Sequence, residues 1–304
     1  MDHQHTIAST ASLSGIGLHT GVQVTLRLSP APVNTGIIFK RTDLDGFPIE
    51  ASVRNVARVS YATSLMKKGV LISTTEHLLS ALAAARVDNV YAEIDNLELP
   101  IADGSALPFL KLIQQAGLRP QRATRNFARI LKPIEVVEGA KRIAVYPSNN
   151  LRITYRIAFS HPLIGEQSLD FEPGYGNYET EIAPARTFGF FEEVEMLRKS
   201  GLVRGGSLEN AVVLTRDGIL NPEGLRFPDE FCRHKVLDML GDFALLGHPM
   251  VGHVMAERAG HAMHVALLSR LLRDKSAWTL ANSSQLSLLA SANLPEEVVT
   301  ASQV

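Results

Sequence analysis

Apolar and polar residues alternate along several short stretches of the chain, which is the pattern of strands that bury one face. The clearest stretch is residues 22–28, where Val22, Val24, Leu26 and Leu28 face one way and the residues between them face the other. Further strands are predicted at residues 36–41, 89–95, 142–147, 151–159 and 251–256. The strands at 142–147 and 151–159 are expected to form a hairpin, because only a short turn separates them.

Helix-forming stretches are interleaved with these strands, and they recur in a similar order in the two halves of the chain. Helices are predicted at residues 76–86, 105–116, 188–201, 231–243 and 261–272. Gly104 follows His77 by 27 residues, and Gly260 follows His234 by 26 residues. This echo hints at a duplicated unit of one sheet and two helices. No aromatic platform accompanies the basic segment at 118–132, so we take it as a domain boundary rather than a nucleic-acid site.

Three polar residues recur at a spacing of four within the predicted helix at 231–243, namely His234, Asp238 and Asp242. Residues four apart lie on one face of a helix, so an imidazole and two carboxylates share one stripe. Zinc accepts both nitrogen and carboxylate oxygen as ligands. An ordinary solvated acidic face explains the same pattern about as well, so a third ligand is needed from elsewhere in the chain.

Glu76 and His77 stand together in the first turn of another predicted helix. The positive end of the helix dipole favours an ionised Glu76 and a neutral His77. A neutral imidazole suits a metal, and an ionised carboxylate suits a general base, although Glu76 alone could simply complement the dipole. If the two halves faced each other, His77 would meet His234 and Asp238 and leave one zinc position for water.

Composition and charge narrow the class of protein. The chain has 304 residues, of which 45% are hydrophobic and 20% charged, so it is expected to be globular. A formal net charge of −1 gives no electrostatic reason to expect a nucleic-acid partner. The single Cys232, the absence of a secretory signal and the absence of a membrane-length apolar run predict a soluble cytoplasmic protein.

Several longer runs carry a family resemblance, namely STTEHLLSAL, PIADGSALPF, ARTFGF, NPEGLRFPDEFCRHKVLDMLGD and AGHAMH. Together they resemble the UDP-3-O-acyl-N-acetylglucosamine deacetylases of lipid A synthesis, over the chain up to about residue 280. The resemblance implies an α+β fold of two similar domains, 1–126 and 127–304. Each domain is expected to layer a β-sheet on two helices and to carry an insert, with the active site between the domains.

The resemblance also implies a zinc-dependent amide hydrolase that removes the N-acetyl group from a UDP-sugar lipid and releases acetate. His77, His234 and Asp238 would bind Zn²⁺, and Glu76 would be the general base. His261 would be the general acid, oriented by Asp242, and Thr187 would donate to the oxyanion. Lys235 would meet the substrate's diphosphate, and Phe188 would pack on the hexosamine ring. A monomer with no transmembrane segment is expected.

The insert of the second half is expected to form an apolar passage for the acyl chain. Phe191 and Val194 lie three apart on one face of the helix after Thr187, and Gly206, Ser207 and Ala211 are small enough to leave space opposite them. Ordinary core packing and a simple turn would be the alternative. For the function, two alternatives stay open: a zinc hydrolase acting on another acetamide, and a non-catalytic UDP-sugar-binding protein that would not need Glu76.

Overall fold

The computed structural model describes residues 2–174 and 177–291, and it has the α+β fold that the sequence predicts. The elements of the first half are β1 (His3–Ile7), β2 (Ala11–Ile16), β3 (Gln23–Pro30), β4 (Ile37–Arg41), β5 (Phe47–Glu50), β6 (Val56–Arg58), β7 (Ser64–Lys67), β8 (Val70–Ile72), α1 (Glu76–Ala84), β9 (Val90–Ile94) and α2 (Leu107–Ala116). Short 3₁₀ turns cover Thr42–Leu44 and Val53–Asn55.

The second half continues the alternation of strands and helices. Its elements are β10 (Leu118–Thr124), β11 (Asn126–Ile130), β12 (Ile134–Glu138), β13 (Lys141–Tyr146), β14 (Leu151–Ala158), β15 (Glu166–Phe171), α3 (Asn177–Glu181), β16 (Phe188–Phe190), α4 (Phe191–Lys199), β17 (Val212–Leu214), α5 (Glu230–Ala244), β18 (Met250–Glu257), α6 (His261–Arg273), β19 (Trp278–Asn282) and α7 (Ser283–Ser291).

The main sheet of the first half has the strand order β2-β3-β9-β4-β5. The predicted alternation in β3 is confirmed, since Val24, Leu26 and Leu28 are buried. Val22 stands just before the strand and is exposed. Beside this sheet, β6, β7 and β8 form a separate three-stranded sheet, which is the insert of this half.

The main sheet of the second half has the order β12-β13-β18-β11-β19, with β14 and β15 extending it. The predicted hairpin of β13 and β14 is wrong, because β18 lies between them, antiparallel to β13 and parallel to β14. Neighbouring strands are about 4.8 Å apart, so the short link at 147–150 can still span the extra strand. The parallel strands β16 and β17 pair outside this sheet and, with α4, form the second insert.

One other prediction needs correction, near the second insert. The helix predicted to begin at Phe188 begins at Phe191, because residues 188–190 pair with β17 as a short strand. The chain enters the main sheet of the second half between β10 and β11, since β10 pairs with β1 and β11 pairs with β19. The division of the chain after residue 126 stays a prediction, and its last part, residues 292–304, lies outside the described residues.

Helices α1 and α5 pack directly against each other, and this contact joins the two halves. Gly241 makes the close approach possible, since a Cβ atom there would overlap the backbone carbonyl of Glu76. The side chains from Glu76 to Leu82 on α1 are all buried. The first turn of α1 therefore lies against the middle of α5, where the sequence places His234, Asp238 and Asp242.

Candidate active site

The predicted metal ligands meet where the first turn of α1 crosses α5. Nε2 of His77 lies 3.7 Å from Oδ1 of Asp238, and Nε2 of His234 lies 3.3 Å from the same oxygen. All three side chains are buried, and their ligand atoms lie within 4.8 Å of one another. Two imidazole nitrogens and a carboxylate oxygen thus converge on one small volume, as a three-ligand metal site requires.

The hydrogen bonds of these side chains fit a metal ion better than a closed polar network. Oδ1 of Asp238 is buried and has no hydrogen-bond partner. His234 donates from Nδ1 to the carbonyl of Ala185 at 3.0 Å, which leaves Nε2 free to act as a ligand. Burial lowers the pKa of His234 to about 3, so its ring is neutral at neutral pH. A neutral imidazole with its second nitrogen held by a carbonyl is the usual state of a metal ligand.

Glu76 lies beside this group on α1. Its Oε2 accepts a hydrogen bond of 3.0 Å from the backbone N–H of Thr63, and its Oε1 lies 4.0 Å from Nε2 of His261. Burial raises the pKa of Glu76, although the neighbouring His261 and His77 act in the opposite direction. A carboxylate with a raised pKa accepts a proton more readily than an ordinary surface carboxylate.

His261 begins α6, and its ring lies beside the metal-ligand group. Its Nδ1 donates to Oδ2 of Asp242 at 2.7 Å, and its Nε2 lies 3.9 Å from Oδ2 of Asp238. Burial disfavours its charged form, but Asp242, Asp238 and Glu76 together raise the pKa of His261 to about 9. The ring is therefore protonated at neutral pH and can donate a proton from Nε2.

Asp242 is fully buried and collects more hydrogen bonds than the sequence suggested. Besides His261, it accepts from Oγ1 of Thr63 at 2.6 Å and from Nδ1 of His264 at 2.8 Å. Burial opposes its ionisation, but the charge of His261 and the hydrogen bonds from His261 and His264 lower the pKa of Asp242 to about 2. Among the described residues, Asp242, His261 and His264 form a second group of closely spaced polar side chains.

Sequence reasoning missed Thr63, His264 and Tyr155 as members of this site. His264 carried a signal, because it lies three residues after His261 and so on the same face of α6. Thr63 and Tyr155 carried none. Thr63 stands just before β7, and Tyr155 alternates as a core residue of β14.

The predicted substrate-binding side chains lie next to the metal-ligand group. Nζ of Lys235 bonds to Oδ2 of Asp238 at 2.8 Å and lies 5.5 Å from the ring centre of Phe188. Phe188 in turn packs edge-on against Phe231, with ring centres 4.9 Å apart. Thr187 is fixed through its backbone N–H, which donates to the carbonyl of Gly104 at 2.8 Å.

A cavity of about 320 Å³ extends from these residues under α4. All five residues predicted for the acyl passage line it, together with Thr187 and Phe188. Leu18 and Tyr61 from the first half contribute to its wall. The ring of Phe188 also lies 6.4 Å from that of His234, so the cavity adjoins the metal-ligand group.

No helix in the described part of the chain is long and apolar enough to cross a membrane.

Comparison with known proteins agrees with the resemblance seen in the sequence. A model of the LpxC family, UDP-3-O-acyl N-acetylglycosamine deacetylase, matches residues 4–273. The UDP-3-O-acyl-N-acetylglucosamine deacetylase of Solibacter usitatus is 54% identical over 286 residues, covering 94% of this chain and 97% of the relative. The proteins of the same name from Syntrophotalea carbinolica and Myxococcus xanthus are 46% and 47% identical, covering 94% and 91% of this chain and 93% and 89% of the relatives. Since the match covers nearly the whole chain, the chain belongs to the UDP-3-O-acyl N-acetylglycosamine deacetylase family.

Proposed function

We propose that this deacetylase uses Zn²⁺ to hydrolyse the N-acetyl group of UDP-3-O-acyl-N-acetylglucosamine, and that it releases acetate as a step of lipid A synthesis. The observation that carries the proposal is the placement of Glu76 and His261 close to each other and beside the group His77, His234 and Asp238. Oε1 of Glu76 and Nε2 of His261 are 4.0 Å apart. The names of the relatives support the substrate.

Zinc is the proposed ion because the donor set suits it. Two histidine nitrogens and one carboxylate oxygen match the ligands of known hydrolytic zinc sites. The spacing is not that of the HExxH metalloprotease signature, because the two histidine ligands lie on different helices. A bound zinc ion would supply Lewis acidity, which lowers the pKa of water and polarises an amide carbonyl.

The protein's own groups would move the protons. Glu76 takes a proton from the attacking water, and the new carbon–oxygen bond turns the acetamide carbonyl into an oxyanion. Thr187 would donate a hydrogen bond to that oxyanion. His261 gives its Nε2 proton to the leaving nitrogen as the carbon–nitrogen bond breaks, so acetate and a free amine result. The pKa values of Glu76 and His261 are both raised. The raised pKa makes Glu76 a better proton acceptor and keeps His261 protonated, so the first suits the role of base and the second that of acid.

The rest of the substrate would extend from this centre in two directions. Lys235 has three N–H donors and uses one on Asp238, which leaves two for a phosphate oxygen. Phe188 offers its ring to the hexosamine at the mouth of the cavity. The acyl chain would enter the cavity under α4, where each buried CH₂ contributes about 0.8 kcal/mol to binding.

This cavity favours an acylated substrate over the alternative of a zinc hydrolase for another acetamide. The pairing of Glu76 with a protonated His261 disfavours a protein that only binds a UDP-sugar. A cytoplasmic location and a monomeric state remain predictions.

The direct test is acetate release from UDP-3-O-acyl-N-acetylglucosamine, measured with and without a chelator. We expect acetate and free amine in equal amounts, and loss of both after chelation. An analogue without the acyl chain should react with a much higher KM. If the purified protein binds the substrate but releases no acetate, the non-catalytic alternative would be correct.

A further inference from the structure

A chain of hydrogen bonds runs from the core of the second half to the proposed general acid. Oη of Tyr155 on β14 lies 3.1 Å from Nε2 of His264, and Nδ1 of His264 lies 2.8 Å from Oδ2 of Asp242. The same carboxylate oxygen accepts the hydrogen bond from Nδ1 of His261 at 2.7 Å. Tyr155, His264 and Asp242 are all completely buried.

The chemistry of the groups fixes the direction of every bond in this chain. Asp242 is ionised and can only accept, so Nδ1 of His264 carries a hydrogen. Burial lowers the pKa of His264, so the ring is neutral and its Nε2 is an acceptor. The hydroxyl of Tyr155 therefore donates to His264. Burial keeps the pKa of Tyr155 well above its usual value, so this donor is present across the working pH range.

Oδ2 of Asp242 thus receives two imidazole N–H groups, one from His261 and one from His264. The other oxygen, Oδ1, receives the hydroxyl of Thr63. A carboxylate held by donors on both oxygens cannot rotate without breaking a bond, and an unmade bond to a buried charged group is costly. The side chain that His261 depends on for its orientation is therefore itself oriented by His264.

We propose that His264, held by Tyr155, is a positioning residue that fixes Asp242 and through it aims Nε2 of His261 at the leaving nitrogen. This inference rests on the proposed role of His261 as general acid. His264 itself touches neither the metal-ligand group nor the cavity under α4. Its contribution should therefore appear in the chemical step and not in substrate binding.

The test begins with two substitutions at position 264. His264→Leu removes the donor to Asp242, and we expect kcat to fall roughly 10–100-fold while KM changes less than about twofold, as for residues that orient a catalytic group. His264→Asn keeps an N–H donor on a side chain of similar reach, and it should recover a large part of the lost kcat. Tyr155→Phe should lower kcat by less than His264→Leu, because Nδ1 of His264 keeps its bond to Asp242.

A double-mutant cycle distinguishes positioning from a general effect on the fold. If His264 acts through Asp242, the double variant with His264→Leu and Asp242→Asn should have a kcat less than about threefold below that of Asp242→Asn alone. Leu267→Ala is the matched control, since Leu267 is also fully buried on α6 but has no polar contact with Asp242. It should lower the melting temperature and leave kcat of the folded enzyme unchanged.

Three results would overturn the proposal. They are an unchanged kcat in His264→Leu, equal loss of kcat in Leu and Asn variants that are both folded, and full additivity with Asp242→Asn. If His264→Leu does not fold, the Asn variant and Tyr155→Phe still provide the comparison. Acetate release by the unmodified enzyme tests the proposed function separately, so failure of one account is distinguishable from failure of the other.

Discussion

Oε1 of Glu76 and Nε2 of His261 lie 4.0 Å apart, beside the metal-ligand group. One comes from the first turn of α1 and the other from the first turn of α6, so each half of the chain supplies one of them. Burial raises the pKa of Glu76, and three nearby carboxylates raise the pKa of His261 to about 9 against the effect of burial.

The first prediction concerns the metal. His77→Ala, His234→Ala and Asp238→Ala should each lose tightly bound zinc, because each removes one of only three protein ligands. Asp242→Asn is the matched control, since Asp242 is also buried on α5 but bonds to His261, His264 and Thr63. It should keep its zinc and lose activity. Elemental analysis of the purified variants is the measurement, and a full zinc content in His77→Ala would show that the ligand set is wrong.

The second prediction concerns the two proton-transfer groups. Glu76→Gln and His261→Ala should fold, bind zinc and lose kcat by roughly 10²–10⁴-fold, the usual contribution of a positioned acid or base. Steady-state kinetics and zinc content should be measured on the same preparations. A variant that loses zinc together with activity would instead indicate that the residue holds the metal.

The third prediction concerns pH. Glu76 must be ionised to act as a base, so kcat/KM should fall as the pH drops through its raised pKa. His261 must be protonated to act as an acid, so kcat/KM should fall again as the pH rises through about 9. The resulting profile is bell-shaped. An acidic limb that stays in place in Glu76→Gln would count against Glu76 as the base.

The fourth prediction concerns the cavity under α4. Ala211→Leu should raise KM for the acylated substrate by filling part of the cavity, with little effect on an analogue that lacks the chain. Ala211 is a sharper probe than Gly206, where a Cβ atom would press on the side chain of Val203. Ala84→Leu, at the far end of α1, is a control for added bulk at a partly buried alanine. Equal losses on both substrates would mean that the substitution disturbs the fold or the metal site.

The sequence predicted those parts of the site that depend on local geometry. His234, Asp238 and Asp242 share a face of α5 because a spacing of four is a property of any helix. The placement of Glu76 and His77 at the start of a helix was likewise predicted from the local sequence. Their meeting with α5 depends on the packing of two distant helices, which the echo between the halves suggested but could not establish.

The features that the sequence did not predict all arise from contacts between distant residues. β18 inserts between β13 and β14, although nothing in the turn at 147–150 indicates a third strand. Residues 188–190 form a strand because β17 lies beside them, against a local preference for helix. Tyr155 and His264 are 109 residues apart, so their hydrogen bond depends on the fold, although His264 shares a helix face with His261.

Zinc titration of the metal-free protein tests the central claim most directly, with bound zinc and acetate release followed together. Acetate release from UDP-3-O-acyl-N-acetylglucosamine should rise in proportion to bound zinc and level off at about one ion per chain, because His77, His234 and Asp238 form one site. The same titration of His77→Ala should show neither tight binding nor acetate release. Full acetate release by the metal-free protein, or tight zinc binding without acetate release, would contradict the account.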